Sequence, residues 1–283
     1  MPLRTVAFVG LGQMGRPMAA NLEKAGITLR SFDLKGGGNC ASAAEAAAGA
    51  EVFLTVLPEG NAVRECVLGA GLRAGALVLD MSSSDPIGTR SLGETLAAAG
   101  IALVDAPVSG GVKKAIDATL AIMAGGDAAQ IERVRPLLEQ MGSRIFLTGP
   151  LGSGHAMKAL NNYVSAAGMI ATAEALVAGA RFGLDPAVMT DILNASSGRN
   201  NTTEVKVKAF MLSGTFASGF SAALMVKDVA TAAHLAEAVG ASADFANHCS
   251  EIWRRAAQAL GAGADHTAIY DFVGKLQATL APP

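Results

Sequence analysis

The sequence predicts an α/β domain followed by an all-helical domain, and three observations carry that expectation. Short apolar runs alternate with alanine-rich stretches from Thr5 to about Gly149, a Gly-x-Gly-x-x-Gly loop follows the first run, and strand-like runs stop after Pro150. Short apolar runs spaced by helical segments are the pattern of parallel strands buried on both faces.

The runs, in order, are Val6 to Val9, Thr28 to Phe32, Glu51 to Val56, Ala76 to Asp80, Ile101 to Val104, Leu120 to Ala124 and Ile145 to Leu147. Between the first two, Met14, Met18, Leu22 and Ala25 recur at helical spacing and predict one apolar stripe laid on a sheet. Beyond Pro150, long helical segments are punctuated by Gly183, Pro186, Gly198, Gly214, Gly219 and Gly240. The stretch from about Gly154 to Phe182 lacks proline and predicts one long helix, roughly 40 Å at 1.5 Å per residue, joining the two domains. The expected boundary leaves residues 1–152 as the α/β domain and 153–283 as the helical domain.

Composition narrows the class. In 283 residues, 22 Lys and Arg stand against 24 Asp and Glu, for a net charge of -2, which excludes a strongly basic nucleic-acid binder and an acidic disordered tail. Apolar residues reach 51% and charged ones only 16%, so a homodimer or homotetramer is expected to bury what each helical half leaves uncovered. Mean hydropathy is +0.38, yet the longest uncharged run, Ala209 to Val226, carries Ser213, Gly214, Thr215, Ser218 and Gly219, so no membrane span is expected. The start lacks a secretory pattern and predicts a cytoplasmic protein. Cys40, Cys66 and Cys249 are odd in number and widely spaced, as free thiols are. His234, His248 and His266 show no metal-ligand spacing, and no metal is expected. Met169 and Trp253 are expected in the core or at a subunit contact.

The loop Gly10-Leu11-Gly12-Gln13-Met14-Gly15 lies between the first strand and the first helix. There the glycines permit a tight turn, close approach of backbone to pyrophosphate, and close helix packing. Asp33 ends the second strand, where a carboxylate accepts hydrogen bonds from both adenosine-ribose hydroxyls and repels a 2′-phosphate. NAD is therefore expected and NADP disfavoured, with Lys35 partly offsetting the charge. Asp33 is also a residue that begins turns. Leu57-Pro58 and Ser82-Ser83 follow the third and fourth strands, at the ends where ligands bind in open α/β sheets.

With the glycine loop extended through Arg16-Pro17-Met18-Ala19-Ala20-Asn21-Leu22, the chain resembles the β-hydroxyacid dehydrogenase family, which includes 3-hydroxyisobutyrate dehydrogenases and tartronate semialdehyde reductases. Further motifs match in order: Asp105-Ala-Pro107-Val-Ser109-Gly110-Gly111-Val112, Gly152-Ser-Gly154-His-Ala-Met-Lys158-Ala-Leu-Asn161-Asn162, and Phe220 with Lys227-Asp228. The resemblance implies a Rossmann-type domain and an all-α domain, with Ser109, Gly110 and Gly111 holding the substrate carboxylate and Lys158 acting as acid/base. It implies Asn162 in support of Lys158, Lys227 near nicotinamide and substrate, and Ser83 beside the nicotinamide ribose. Ala118 departs from the pattern, for the family usually has glycine there, and its methyl is expected to narrow nearby packing.

Read as bare chemistry, Ser109-Gly110-Gly111 offers a hydroxyl and unobstructed amides, a cradle for a small carboxylate as well as an ordinary turn. Lys158 and Asn162 are four apart on a helix and project from one face. A lysine brought toward neutral pKa by desolvation or nearby cations takes a hydroxyl proton in oxidation and returns it in reduction. His155 is the alternative proton carrier on that helix, and a buried or solvated structural role fits it equally. The expected activity is hydride transfer between NAD and a small β-hydroxy acid. An imine reductase-like enzyme and a silent dinucleotide-binding protein are the rivals, and Lys158 with the Ser-Gly-Gly loop argues against both.

Overall fold

Strand β1 (Thr5–Val9) divides its side chains between two cores. Val6 and Phe8 enter one with Met18, Leu22, Leu54 and Leu79, whereas Ala7 and Val9 enter the other with Phe53, Val78, Leu92 and Leu96. Successive side chains of a strand point to opposite faces, so a strand apolar throughout requires helices on both sides of its sheet.

The computed structural model describes residues 4–261 and 263–278. The chain divides into two compact units, Met1–Lys158 and Ala159–Pro283. In the first, β1 is followed by α1 (Gly15–Lys24), β2 (Thr28–Phe32), α2 (Ala43–Ala47), β3 (Val52–Thr55), α3 (Gly60–Gly69), β4 (Leu77–Asp80), α4 (Pro86–Ala98) and β5 (Ala102–Asp105). Then come β6 (Val108–Ser109), α5 (Gly111–Ile116), β7 (Leu120–Gly125), α6 (Ala128–Leu138), β8 (Gly142–Gly149) and the start of α7 (Ser153–Phe182).

The sheet order is β2-β1-β3-β4-β5-β7-β6, with β8 beside β7. Strands β1 to β5 are parallel, and β1 pairs with both β2 and β3, so the chain reverses its direction of winding there and opens a crevice at the carboxyl end of β1. The expectation of parallel strands throughout fails at β7, which runs antiparallel to β5 and β6 before β8 pairs with it in parallel. The reason is local: α5 rises only about 9 Å at 1.5 Å per residue, too little to carry the chain back along the sheet, so β7 enters at the end where β5 left.

Helix α1 buries Met18 and Leu22 as expected, but Ala25 is its exposed cap and the stripe is completed instead by Ala19 and Asn21. The Asn21 amide donates to Ala115 O at 2.7 Å, which ties α1 to α5.

The second unit takes in the rest of α7, α8 (Pro186–Ala195), α9 (Asn201–Val205), a π-helical turn Val207–Met211, α10 (Ala222–Ala238), α11 (Asp244–Leu260), a 3-10 turn His266–Ala268 and α12 (Ile269–Ala278). Its core joins Ala166, Met169, Ala173 and Leu176 of α7 to Val229 of α10, Trp253 of α11 and Ile269 of α12. Polar caps start the helices: Asp185 accepts the amides of Ala187 and Val188, Asn200 forms a capping box with Thr203, and Ser221 accepts from Leu224 N. Against the expectation from sequence, α7 is long and apolar enough to cross a membrane, but its face with Met169, Ala173 and Leu176 is spent on the protein core. All three cysteines are unpaired, and burial pushes the thiols of Cys66 and Cys249 up to about 11.

Candidate active site

The loop after β1 is glycine-rich because two of its three glycines have no room for a side chain. A Cβ on Gly10, which sits at φ +103°, would stand 2.2 Å from Val56 O, and one on Gly15 would stand 1.9 Å from Gly10 O. Gly12 is different, since a Cβ there meets nothing within 4 Å. The backbone thus approaches open space at Gly12 without a side chain in front of it, which is what a pyrophosphate requires. Leu11 N donates to Asp33 Oδ2 at 2.6 Å, and Lys35 N donates to Oδ1 at 2.7 Å. A carboxylate accepts about four hydrogen bonds, so Asp33 fixes the loop and keeps acceptor capacity for a ribose diol. Gln13 is exposed and Met14 half-buried in the same turn. These residues fit a dinucleotide.

Across the crevice, Leu57 N donates to Ser82 Oγ at 2.8 Å, and Ser82 N donates to Asp80 Oδ1 at 2.9 Å. Asp80 also accepts from Thr55 Oγ1 at 2.9 Å and from Ser84 Oγ at 2.8 Å. The loops after β3 and β4 are therefore hung on one carboxylate only 2% exposed, with Pro58 and Ser83 carried on them.

Ser109 ends β6, and Gly110 and Gly111 follow at φ +138° and +70°. A Cβ on Gly110 would press on Lys114 Cδ at 2.6 Å, while one on Gly111 would meet nothing within 4 Å. Both glycines are exposed, with the Lys114 side chain lying against Gly110 and open space beside Gly111. Ala118 adds a backbone feature that the sequence did not show. It stands at φ +54°, just past the end of α5, where Thr119 N reaches back to Lys114 O at 2.9 Å. The methyl therefore sits on a left-handed backbone, which carries a cost for an L-residue.

The first turn of α7 is seated by β5. Asp105, fully buried, accepts from Gly152 N at 2.7 Å and from His155 N at 2.8 Å. Burial pushes its carboxyl upward, while His155 and the two amides pull it back. The seat is close enough to demand Gly154, whose Cβ would lie 2.1 Å from Met123 O. Lys158 follows one turn later, half-buried. Asn162 comes one turn after that on the same helix, and its Nδ2 donates to Asp228 Oδ2 at 2.5 Å. Asp228 is 3% exposed, and Lys227 Nζ stands 3.5 Å from its Oδ1. Asn162, Asp228 and Lys227 thus form one polar group in the helical unit.

The sequence reading gave no role to Asp80, Asp105 or Asp228. The first two had a legible signal, because the apolar runs of β4 and β5 each end on an aspartate. A charged residue closing a doubly buried strand needs partners, and the strand end is where a ligand site lies.

Residues 5–149 match the family described as the NAD binding domain of 6-phosphogluconate dehydrogenase, and residues 152–273 match the NAD-binding family of NADP-dependent 3-hydroxyisobutyrate dehydrogenase. A 3-hydroxyisobutyrate dehydrogenase of Pseudomonas aeruginosa is 40% identical over 258 residues, covering 84% of this chain and 87% of the relative. The chain belongs to the β-hydroxyacid dehydrogenase family. Like its relatives in the β-hydroxyacid dehydrogenases, it is an NAD(P)-dependent oxidoreductase. An NAD-dependent L-serine dehydrogenase of P. aeruginosa is 38% identical over 273 residues, 89% of this chain and 92% of the relative. The solved structure of Mycobacterium tuberculosis 3-hydroxyisobutyrate dehydrogenase with L-serine superposes with a TM-score of 0.87 at 37% identity, covering 96% of this chain and 99% of that one.

Proposed function

We propose that this β-hydroxyacid dehydrogenase oxidises the β-hydroxyl of a small β-hydroxy acid or reduces the corresponding semialdehyde, in a reaction of the 3-hydroxyisobutyrate or tartronate semialdehyde type. The observation that carries the reading is the seating of α7, because the helix that presents Lys158 and Asn162 is capped by the buried Asp105 carboxylate at 2.7 and 2.8 Å. Relatives named for 3-hydroxyisobutyrate and for L-serine share one substrate pattern, a carboxylate with a hydroxyl on the β carbon.

In this reading Ser109 Oγ and the amides of Gly110 and Gly111 bind the substrate carboxylate. Lys158 Nζ takes the hydroxyl proton in oxidation and returns it in reduction, and Asn162, held by Asp228, supports it. Lys227 is assigned to the substrate and nicotinamide, and Ser83 to the nicotinamide ribose. Gly10, Leu11, Gly12, Gln13, Met14, Gly15, Leu57 and Pro58 enclose the dinucleotide, and Asp33 takes its adenosine ribose. NAD, when bound, accepts or returns the hydride. Residues 1–152 form the cofactor domain and 153–283 the substrate and self-association domain. The protein works in the cytoplasm as a homodimer or homotetramer, a state supported by exposed apolar residues such as Val164 at 69% and Phe182 at 87% and read by light scattering.

A panel of β-hydroxy acids differing in the group beyond the reacting carbon, assayed with NAD at the nicotinamide absorbance band, tests the reading. Turnover of at least one member with a free carboxylate, lost on its methyl ester, is the expected result. No turnover across the panel in either direction, with NAD bound, overturns it.

A further inference from the structure

Three residues ahead of Lys158, His155 is 1% exposed and has no part in the roles above. Its ring lies between two buried carboxylates, with Nε2 3.6 Å from Asp80 Oδ2 and Nδ1 3.7 Å from Asp105 Oδ2. Nδ1 also shares a 2.8 Å hydrogen bond with the Thr89 hydroxyl of α4. The two carboxylates organise different parts of the site. Asp80 holds the loops after β3 and β4 through Thr55, Ser82 and Ser84, whereas Asp105 caps the first turn of α7 through Gly152 N and His155 N. The ring stands between both anchors without hydrogen-bonding either, and its Nε2 has no hydrogen-bond partner among the described residues.

Placing an imidazole there is costly in desolvation, and an apolar side chain of equal volume would fill the space without that cost. A polar ring earns its place when its directed contacts set a position. Here the Nδ1–Thr89 hydrogen bond, with the ring seated between two carboxylates, fixes the rotation and height of the first turn of α7 against α4 and the ends of β4 and β5. Residues three apart on a helix lie on one face, so what fixes His155 fixes Lys158. We propose that His155 is a positioning residue that aligns Lys158 with the cofactor loops through its hydrogen bond to Thr89 and its seat between Asp80 and Asp105. The inference rests on Lys158 being the proton carrier. Displacing a reacting group by about 1 Å costs on the order of 10²-fold in rate, which sets the scale of the effect.

The test compares the parent with His155→Leu, His155→Gln and Lys158→Met, measuring kcat, the KM of the hydroxy acid and the Kd of NAD. In His155→Leu, kcat should fall about 10- to 100-fold with KM and Kd within about 3-fold of the parent. His155→Gln, whose amide offers both a donor and an acceptor to the same partners, should recover kcat to within about 5-fold of the parent. Parental kcat in His155→Leu, or no recovery in His155→Gln, overturns the inference. If His155→Leu does not fold by circular dichroism, Thr89→Val decides, with an expected loss of about 3- to 10-fold in kcat at unchanged KM, and parental kcat overturning the proposal. Lys158→Met separates the two readings. Its retention of activity removes the proton carrier itself, whereas an inactive Lys158→Met beside a fully active His155→Leu removes only the positioning role.

Discussion

The Asp33 carboxylate accepts the Leu11 amide at 2.6 Å, so the residue assigned to the adenosine ribose also clasps the glycine loop. Asp33→Ser should therefore do two things at once. It removes the charge that repels a 2′-phosphate, and it loosens the turn that approaches the pyrophosphate. The kcat/KM ratio of NAD to NADP should narrow by about tenfold or more, with NAD binding weakened rather than NADP binding merely gained. Equal turnover of the two cofactors by the parent protein would remove the argument.

Lys158→Met keeps the stem of the side chain and deletes the amine. Turnover should fall by about 10²–10⁴ while the Kd of NAD stays near parental, because the cofactor is held by loops of β1 to β4. In the parent, oxidation should speed up and reduction slow down as pH rises through the titration of the proton carrier. Parallel profiles in the two directions would assign the proton to another group.

Ala118 occupies a left-handed backbone at φ +54°, which costs an L-residue about 1–2 kcal/mol, whereas glycine adopts it freely. Ala118→Gly also frees the unfolded chain, which returns part of that gain. A net stabilisation of up to about 1 kcal/mol is expected, read as a higher urea midpoint with unchanged m-value. A lower midpoint would show that the strain is not there.

His266 is 4% exposed, with Nδ1 on Phe220 O at 3.0 Å. Burial first, and then Lys206, pushes its imidazole down to about 4 from an ordinary 6.5. Between those values the unfolded chain binds a proton that the folded chain refuses, so stability falls as pH drops from about 6.5 to about 4. The loss should reach up to about 3 kcal/mol, at 1.36 kcal/mol per pKa unit. Denaturant unfolding at pH 7 and pH 4.5 checks it, and His266→Gln should flatten the difference between the two.

Sequence by itself determined what local rules govern. Strands β1, β3, β4, β5 and β7 are legible because a run apolar on both faces has one stable environment, whereas β8, expected buried, leaves Phe146 and Leu147 exposed, and the glycine loop is legible because Gly10 and Gly15 admit no Cβ. Asp33 is legible by its place at the end of β2, and α7 by an unbroken run without proline from Ser153 to Phe182. Tertiary structure alone decided the rest. The antiparallel turn into β7 depends on how far a short helix can carry the chain, and the strain at Ala118 on how that helix ends. Buried polar partners lie far apart in sequence: His155 near Asp80 and Asp105 in the first unit, and Asn162 with Asp228 in the second. No period of two or of 3.6 residues marks such partners, because a buried carboxylate is satisfied by whichever donor the fold brings to it.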